Sequence, residues 1–349
     1  MTLQEATAAS AFAIAGAPPL PPVNFAVVGK AAPVLPATPA GQLPKASAVV
    51  ITWAEAEWAA IQHVLCAGGS SMPYADRSHG TWPGWQEYSS NMPAGAPAGW
   101  TYWGYYRLVE IGGNDVLLFK SNTHLDFPGT PYLEALIDLL IQRVSPSLIL
   151  STGTAGGAKP QDHIGTVRAV SAGTLYETGR SQANWPLYEN AWRPGTALLT
   201  NANFNQLLFP VPTQPSDLET LCAQFNRQHG SSYTLSQLDP DGLNRGDATP
   251  QIDNQTGGGT SLLTASTFLV GTTAGTYETY ACIEMDDAVI AEACAASRTP
   301  YGFVRNLSDP AQNSALPAKV QGNWGSAIYD AYGFYTSYNS AVAAWAMLA

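Results

Sequence analysis

Short apolar runs alternate with amphipathic segments of helical period along most of the chain. Ala48–Thr52 (AVVIT) carries no charge and reads as a buried strand. From about residue 54 to Cys66, Trp58, Ile61 and Leu65 fall on one helical face, Glu57 lies in the first turn and Gly68 follows the end. Tyr102–Ile111 and Val116–Ser121 flank Gly112-Gly113, the signal of a hairpin. Tyr132–Val144 repeats Leu133, Leu136, Ile137 and Leu140 at helical spacing, and Leu148–Thr152 is a strand running into GTAGG. Thr166–Ala172 predicts another strand. Ser216-x-x-Glu219 reads as a capping box opening a helix that Gly230 closes. Ser261–Ala265 and Phe268–Val270 are strand-like, Asp286–Ser297 helical, Tyr301–Asn306 a strand and Trp324–Leu348 a long helix. Strands alternating with helices predict an α/β fold around a largely buried sheet. Ligands in such sheets gather where strands end, which directs attention to the loops after Thr52, Thr152, Ala265 and Asn306.

Residues 1–45 are Pro/Ala-rich and predict an extended tail or a wrapping arm, with one domain over residues 46–349. The stretches near 68–101 and 175–258 are mostly loop and read as insertions in that domain. The first cation is Lys30, so the apolar start lacks the basic region of a secretory signal, and a cytoplasmic protein is expected. The chain of 349 residues has 46% apolar and only 12% charged residues, with a net charge of −11. Without a Lys/Arg cluster, nucleic-acid binding is not expected, and no apolar run approaches the ~18 residues of a membrane span. Cys66, Cys222, Cys282 and Cys294 form no C-x-x-C pair, and the five histidines show no H-x-x-x-H spacing. No metal site and no cofactor are therefore expected, and buried free thiols are the simple reading.

Acidic residues concentrate in ACIEMDDAVIAEACAASRTPYGFVRNLSD, residues 281–309. Taken singly, its candidates have ordinary explanations. Asp309 ends a strand, where a buried carboxylate can hold a raised pKa or cap a turn before Pro310. Glu57 is a possible general base, or an acid favoured by the helix dipole. The Ser151–Gly157 loop, STGTAGG, allows close approach to a ligand or is a tight strand-to-helix turn. Phe268 and Met285 suit a base and a sugar, or a core.

Together, ITWAEAEW, STGTAGG, IEMDD and VRNLSD occur in an order that resembles the purine nucleoside phosphorylase/uridine phosphorylase superfamily, nearest its 5'-methylthioadenosine/S-adenosylhomocysteine nucleosidase branch. The resemblance covers residues 46–349. It implies a three-layer α/β fold with a central mixed, partly barrel-like sheet flanked by helices. It implies a small-molecule nucleoside as ligand, with the pocket closed either by a neighbour in a homo-oligomer of two or more copies, as is common in the family, or by this chain's own long loops. By position, Glu57 matches the acid/base that activates water, and Thr154 the hydroxyl residue beside ribose and water. Phe268 matches the aromatic that stacks on the base, and Leu269 the backbone that reads its edge. Glu284 and Met285 belong to the sugar-binding signature, with Met285 beneath the sugar. Asp286 matches the carboxylate on the ribose diol, one methylene shorter than the commoner Glu. Ser308 and Asp309 match the pair that orients and protonates a purine N7.

N-glycosidic cleavage through an oxocarbenium-like sugar needs an acid for the leaving base and a base for the nucleophile on the opposite face. Asp309 and Glu57 would fill those roles. Family phosphorylases carry an Arg two residues before the Gly of the GTAGG-like loop; Ser151 stands here, and WAEAEW replaces a phosphate-binding loop. Hydrolysis of an adenine-type nucleoside is the reading, against a phosphate-dependent phosphorylase or a catalytically idle storage or ligand-binding member of the fold. The Trp-rich loop (Trp82, Trp85, Trp100, Trp103) is expected to reshape or cover the pocket for the 5' substituent.

Overall fold

A computed structural model of the chain describes residues 12–159, 162–240, 250–267, 269, 277–310 and 316–349. In chain order its elements are β1 (Ala48–Thr52), α1 (Glu55–Ile61), β2 (Gln86–Tyr88), β3 (Gly104–Ile111), β4 (Asn114–Ser121), α2 (Thr130–Val144), β5 (Leu148–Gly157), β6 (Val167–Val170), β7 (Ala172–Leu175), β8 (Leu187–Glu189), α3 (Pro215–His229), α4 (Leu235–Leu238), β9 (Ile252–Asn254), β10 (Leu262–Thr264), β11 (Ile283–Glu284), α5 (Asp287–Ser297), β12 (Tyr301–Pro310) and α6 (Ala318–Leu348). They form a mixed sheet ordered β2-β3-β4-β1-β5-β11-β10-β7-β8, with β12 joined to β5 and β6, and β9 to β6.

The sheet is covered on both faces because its strands are apolar on both. Val50, Leu118, Leu150 and Val304 point into a core shared with α1, α3 and α6. Their neighbours Val49, Ile51, Leu117, Ile149 and Phe303 point into a second core with α2 and α5. This strict alternation makes three layers, helix–sheet–helix. Helix α6 is buried along nearly all its length from Trp324 to Ala346.

Several predicted elements shift. GTAGG is not a turn: β5 runs straight through it to Gly157, paired on one side with β12 from Tyr301 to Pro310. Gly153 and Gly157 suit the strand because side chains cross them closely, Glu57 and Arg305 at the first and Asp162 at the second. The run Thr166–Ala172 divides at Ser171, since β6 lies antiparallel to β12 while β7 joins β10 and β8. Helix α3 starts earlier than the Ser216/Glu219 box. Pro215 sits in the first turn, where a missing N–H costs nothing, and Asp217 accepts from the Gln214 N–H instead.

The described part of the arm lies along the domain. Phe25 packs on Trp345 with ring centroids 4.5 Å apart, Leu20 bridges to Met72 and Val34 to Glu110. Tyr335 and Tyr106 donate their hydroxyls to the carbonyls of Pro18 and Pro39. His63 is buried against the Pro21 carbonyl, 2.8 Å from Nε2. Of the loop tryptophans, Trp85, Trp100 and Trp103 are core residues whose indole N–H groups reach Gln62, the Asn122 carbonyl and the Ser90 carbonyl. They brace the loop inside the domain. Cys222, Cys282 and Cys294 are buried free thiols and Cys66 is half-buried. Among the described residues no helix is long and apolar enough to cross a membrane.

Candidate active site

The C-terminal half of β5 is where the acidic segments meet. Asp309 on β12 pairs in register with Gly156, and Ile283 on β11 pairs with the same Gly156 from the other edge. Thr154, two residues earlier on β5, carries Glu57. At about 3.3 Å per residue, the positions of Thr154 and Gly156 are separated by roughly 7 Å, a span suited to a sugar with its attached base.

Glu57 sits in the first turn of α1, 4% exposed, with its carboxylate fully engaged. Oε2 accepts from Thr52 Oγ1 and from the Trp53 and Ala54 N–H groups at 2.9–3.0 Å. Oε1 accepts both the N–H and the hydroxyl of Thr154 at 2.7 Å. A Cβ at Gly153 would lie 2.7 Å from that Oε1 and 2.7 Å from Arg305 Nη1. Glycine is needed there for the absence of a side chain, because two charged groups cross over its backbone.

Asp309 lies past a bulge: the β5 pairing steps from Leu307–Ala155 directly to Asp309–Gly156, leaving Ser308 as the extra residue. Bulges re-aim side chains beside functional sites. Ser308 Oγ donates to Asp309 Oδ1 at 2.7 Å. Burial raises the Asp309 pKa above the usual carboxylate range, and the Ser308 hydrogen bond only partly opposes it. Asp309 is thus disposed to hold a proton.

The IEMDD segment is organised around Arg305, which the sequence reading passed over. Its Nε and Nη2 reach Asp287 at 2.7 and 2.5 Å, and Nη2 also meets Ser151 Oγ at 2.9 Å and Glu284 Oε2 at 3.2 Å. The guanidinium stands 5.1 Å over the Trp53 ring. Burial alone would lower its pKa, but the Asp287 and Glu284 charges raise it above the usual arginine range. Glu284 receives the backbone N–H groups of Asp286 and Asp287 at the start of α5 and the Thr264 hydroxyl. Burial, then the Asp287 charge, pushes Glu284 up to about 8. Its hydrogen bonds and the Arg305 contact commit the carboxylate to the protein, whereas the sequence reading counts it among substrate-binding residues. Asp287, read from sequence as a helix-end charge, is fully buried beneath Arg305.

Removing Arg305 leaves two buried carboxylates with no cation. Arg305→Met is expected to cost about 3–5 kcal/mol. The loss should be largest above pH 8 and smaller as pH falls, because the orphaned acids can then take up protons. Urea unfolding at pH 6 and pH 9 checks this; equal stability of variant and wild type at pH 9 contradicts it.

Asp286 is 2% exposed, and its Oδ1 accepts the Leu125 N–H at 2.9 Å and lies 3.1 Å from His124 Nδ1. His124, in the loop after β4, carries no signal in the sequence that separates it from other loop histidines. Met285 follows β11 and is half-buried. Leu269 packs at the edge of a small cluster of Ala158, Leu263, Tyr280 and Ile283, with Tyr176, Trp185 and Tyr277 around it. Phe268 lies outside the described residues. Tyr329 on α6 is a further neighbour unseen from sequence. Burial raises its hydroxyl pKa well above the ordinary value, with the Glu57 and Asp309 charges among the lesser causes. Its ring occupies the space a Cβ on Gly333, one turn later, would need. Among the described residues no cluster of three His, Cys, Asp or Glu side chains has the arrangement of a metal site.

A model of the phosphorylase superfamily matches residues 87–328, and the chain belongs to that superfamily. Solved structures of similar outline include the 5'-methylthioadenosine/S-adenosylhomocysteine nucleosidase of Neisseria meningitidis with methylthio-immucillin-A, at 13% identity over 86% of this chain and 98% of that one, TM-score 0.44. Native futalosine hydrolase of Helicobacter pylori compares at 11% identity, 86% and 97% coverage and TM-score 0.46. The S-adenosylhomocysteine nucleosidase of Streptococcus pyogenes with 5-methylthiotubericidin compares at 15%, 88% and 98%, and 0.44. No curated protein matches the sequence.

Proposed function

We propose that this protein hydrolyses the N-glycosidic bond of an adenine-type purine nucleoside, releasing free base and a ribose derivative. The observation that carries the reading is the pairing, across the C-terminal half of β5, of a buried Asp309 of raised pKa with a Glu57–Thr154 unit. Asp309 donates a proton to the departing purine. Ser308 on Oδ1 leaves the second oxygen to carry that proton. On the other side, a water gives its proton to the Thr154 hydroxyl, which passes its own to Glu57. Asp286 and Met285 serve the sugar, and Phe268 and Leu269 the base. Negative charge from Glu57 and Asp286 favours the cationic sugar as it develops.

Water suits the site better than phosphate. Arg305 is occupied by Asp287, Glu284 and Ser151, and Lys120 faces Glu55 at 3.4 Å and the Trp58 ring. A phosphate entering here would meet Glu57, with Arg305 and Lys120 both already engaged by carboxylates. The test is a panel of adenosine, inosine, methylthioadenosine and uridine in phosphate-free buffer, with base followed by chromatography. Purine release with no uracil release supports the reading; no release from any of them refutes it, and repeating the panel with phosphate then separates a phosphorylase from an idle member of the fold.

A further inference from the structure

Asp286 raises a geometric problem for the nucleosidase reading. It is a short carboxylate, and its Oδ1 is already taken by the Leu125 N–H, leaving one oxygen for two adjacent sugar hydroxyls. His124 stands beside it. The loop that carries His124 is tied at both ends: its N–H donates to the Phe127 carbonyl at 2.8 Å and its carbonyl accepts from Gly129 at 3.2 Å. Leu125, the next residue, is the one bound to Asp286, so the imidazole is fixed relative to the carboxylate.

The ring's orientation follows from its surroundings. Nδ1 is buried, 3.1 Å from Asp286 Oδ1 and 3.6 Å from Asp126 Oδ1, close enough for ion pairing but not aligned as a hydrogen bond. Yet the side chain as a whole remains 28% exposed. The exposed part is then the opposite edge, which carries Nε2, and among the described residues no hydrogen bond engages that nitrogen. The ring lies 6.2 Å from Trp53, which also carries the Arg305 guanidinium over its face, so His124 stands beside the acidic residues.

We propose that His124 is a second sugar-reading residue, its Nε2–H donating to one ribose hydroxyl while Asp286 Oδ2 accepts from the other. The inference rests on the nucleosidase reading and deepens it to a preference for an intact vicinal diol. Burial would lower the His124 pKa, but Asp286, Asp126 and Glu57 together raise it above the ordinary value, which favours the doubly protonated ring; the neutral ring with its proton on Nε2 makes the same contact. The Asp286–His124 pair thereby covers with two short side chains what one longer carboxylate could span.

Two substitutions separate binding from support, because the Asn amide nitrogen falls near Nδ1 and the Gln amide nitrogen near Nε2. His124→Asn keeps a donor toward Asp286 and removes the one offered to sugar; His124→Gln does the reverse. The readout is the ratio of kcat/KM for adenosine to that for 2'-deoxyadenosine and for 3'-deoxyadenosine. In His124→Asn one of the two ratios is expected to fall about 10- to 100-fold, the scale of one charged hydrogen bond. In His124→Gln both ratios stay near those of wild type. Unchanged ratios in His124→Asn, or a fall only in His124→Gln, overturn the inference while leaving the hydrolase reading intact. Absence of release by the wild type removes the hydrolase reading first, and this inference with it.

Discussion

Asp309→Asn stops base release and leaves the protein folded. Asn keeps the size of Asp and can accept the Ser308 hydroxyl at its oxygen, but has no acidic proton to give. General-acid help is worth ~10²–10⁴-fold, so the variant should lose activity on that scale. Stability should move the other way. The folded-state pKa of Asp309 is raised by burial, so its stabilising contribution is complete only below the ordinary carboxylate pKa and disappears as pH rises through the folded value. At neutral pH the neutral Asn avoids that cost, and the variant should melt at the same temperature as wild type or higher. Wild-type kcat should likewise fall as pH rises through the elevated Asp309 value, since the protonated form is the active one. Thermal melts and a pH–rate profile check both; full activity in Asp309→Asn excludes Asp309 from the mechanism.

Glu57→Gln is expected to lose activity by ~10²–10⁴-fold and, unlike Asp309→Asn, to lose stability. Glu57 receives five hydrogen bonds, three on Oε2 and two on Oε1. An amide can serve one of those oxygens but turns its NH₂ toward donors at the other. If the amide oxygen stays on Thr52, Trp53 and Ala54, the NH₂ faces the Thr154 N–H, and a buried donor without an acceptor costs about 1–3 kcal/mol. The proton acceptor for the Thr154 relay is lost as well. Single-turnover rates and urea midpoints measured together test the account. A variant with wild-type turnover contradicts the role of Glu57, and one that is slow but equally stable contradicts the bonding described for it.

The periodic parts of the fold were legible because each carries its own core face. Leu133, Leu136, Ile137 and Leu140 announce α2, and AVVIT announces β1, without knowledge of their partners. GTAGG was not legible as strand. Glycine argues locally for a turn, and only Glu57 and Arg305 passing over Gly153 explain its absence of side chain. The ends of the acidic segment were readable as candidates because Asp309 follows a strand and Asp286 precedes a helix. Their partners were not. Arg305 looks like any strand arginine until β12 lies on β5 and turns it onto Asp287 and Glu284. His124 is one histidine among five until Leu125 beside it is tied to Asp286, 161 positions away in sequence. Long-range pairing of this kind leaves no periodic trace in a single sequence.

The central claim is that water, and not phosphate, attacks the sugar. The direct measurement is the product formed from adenosine with and without 50 mM-scale phosphate, identified by mass spectrometry. The account predicts adenine and free ribose in both buffers, at a rate that phosphate does not raise. Ribose 1-phosphate as the product, with no release when phosphate is left out, would contradict it.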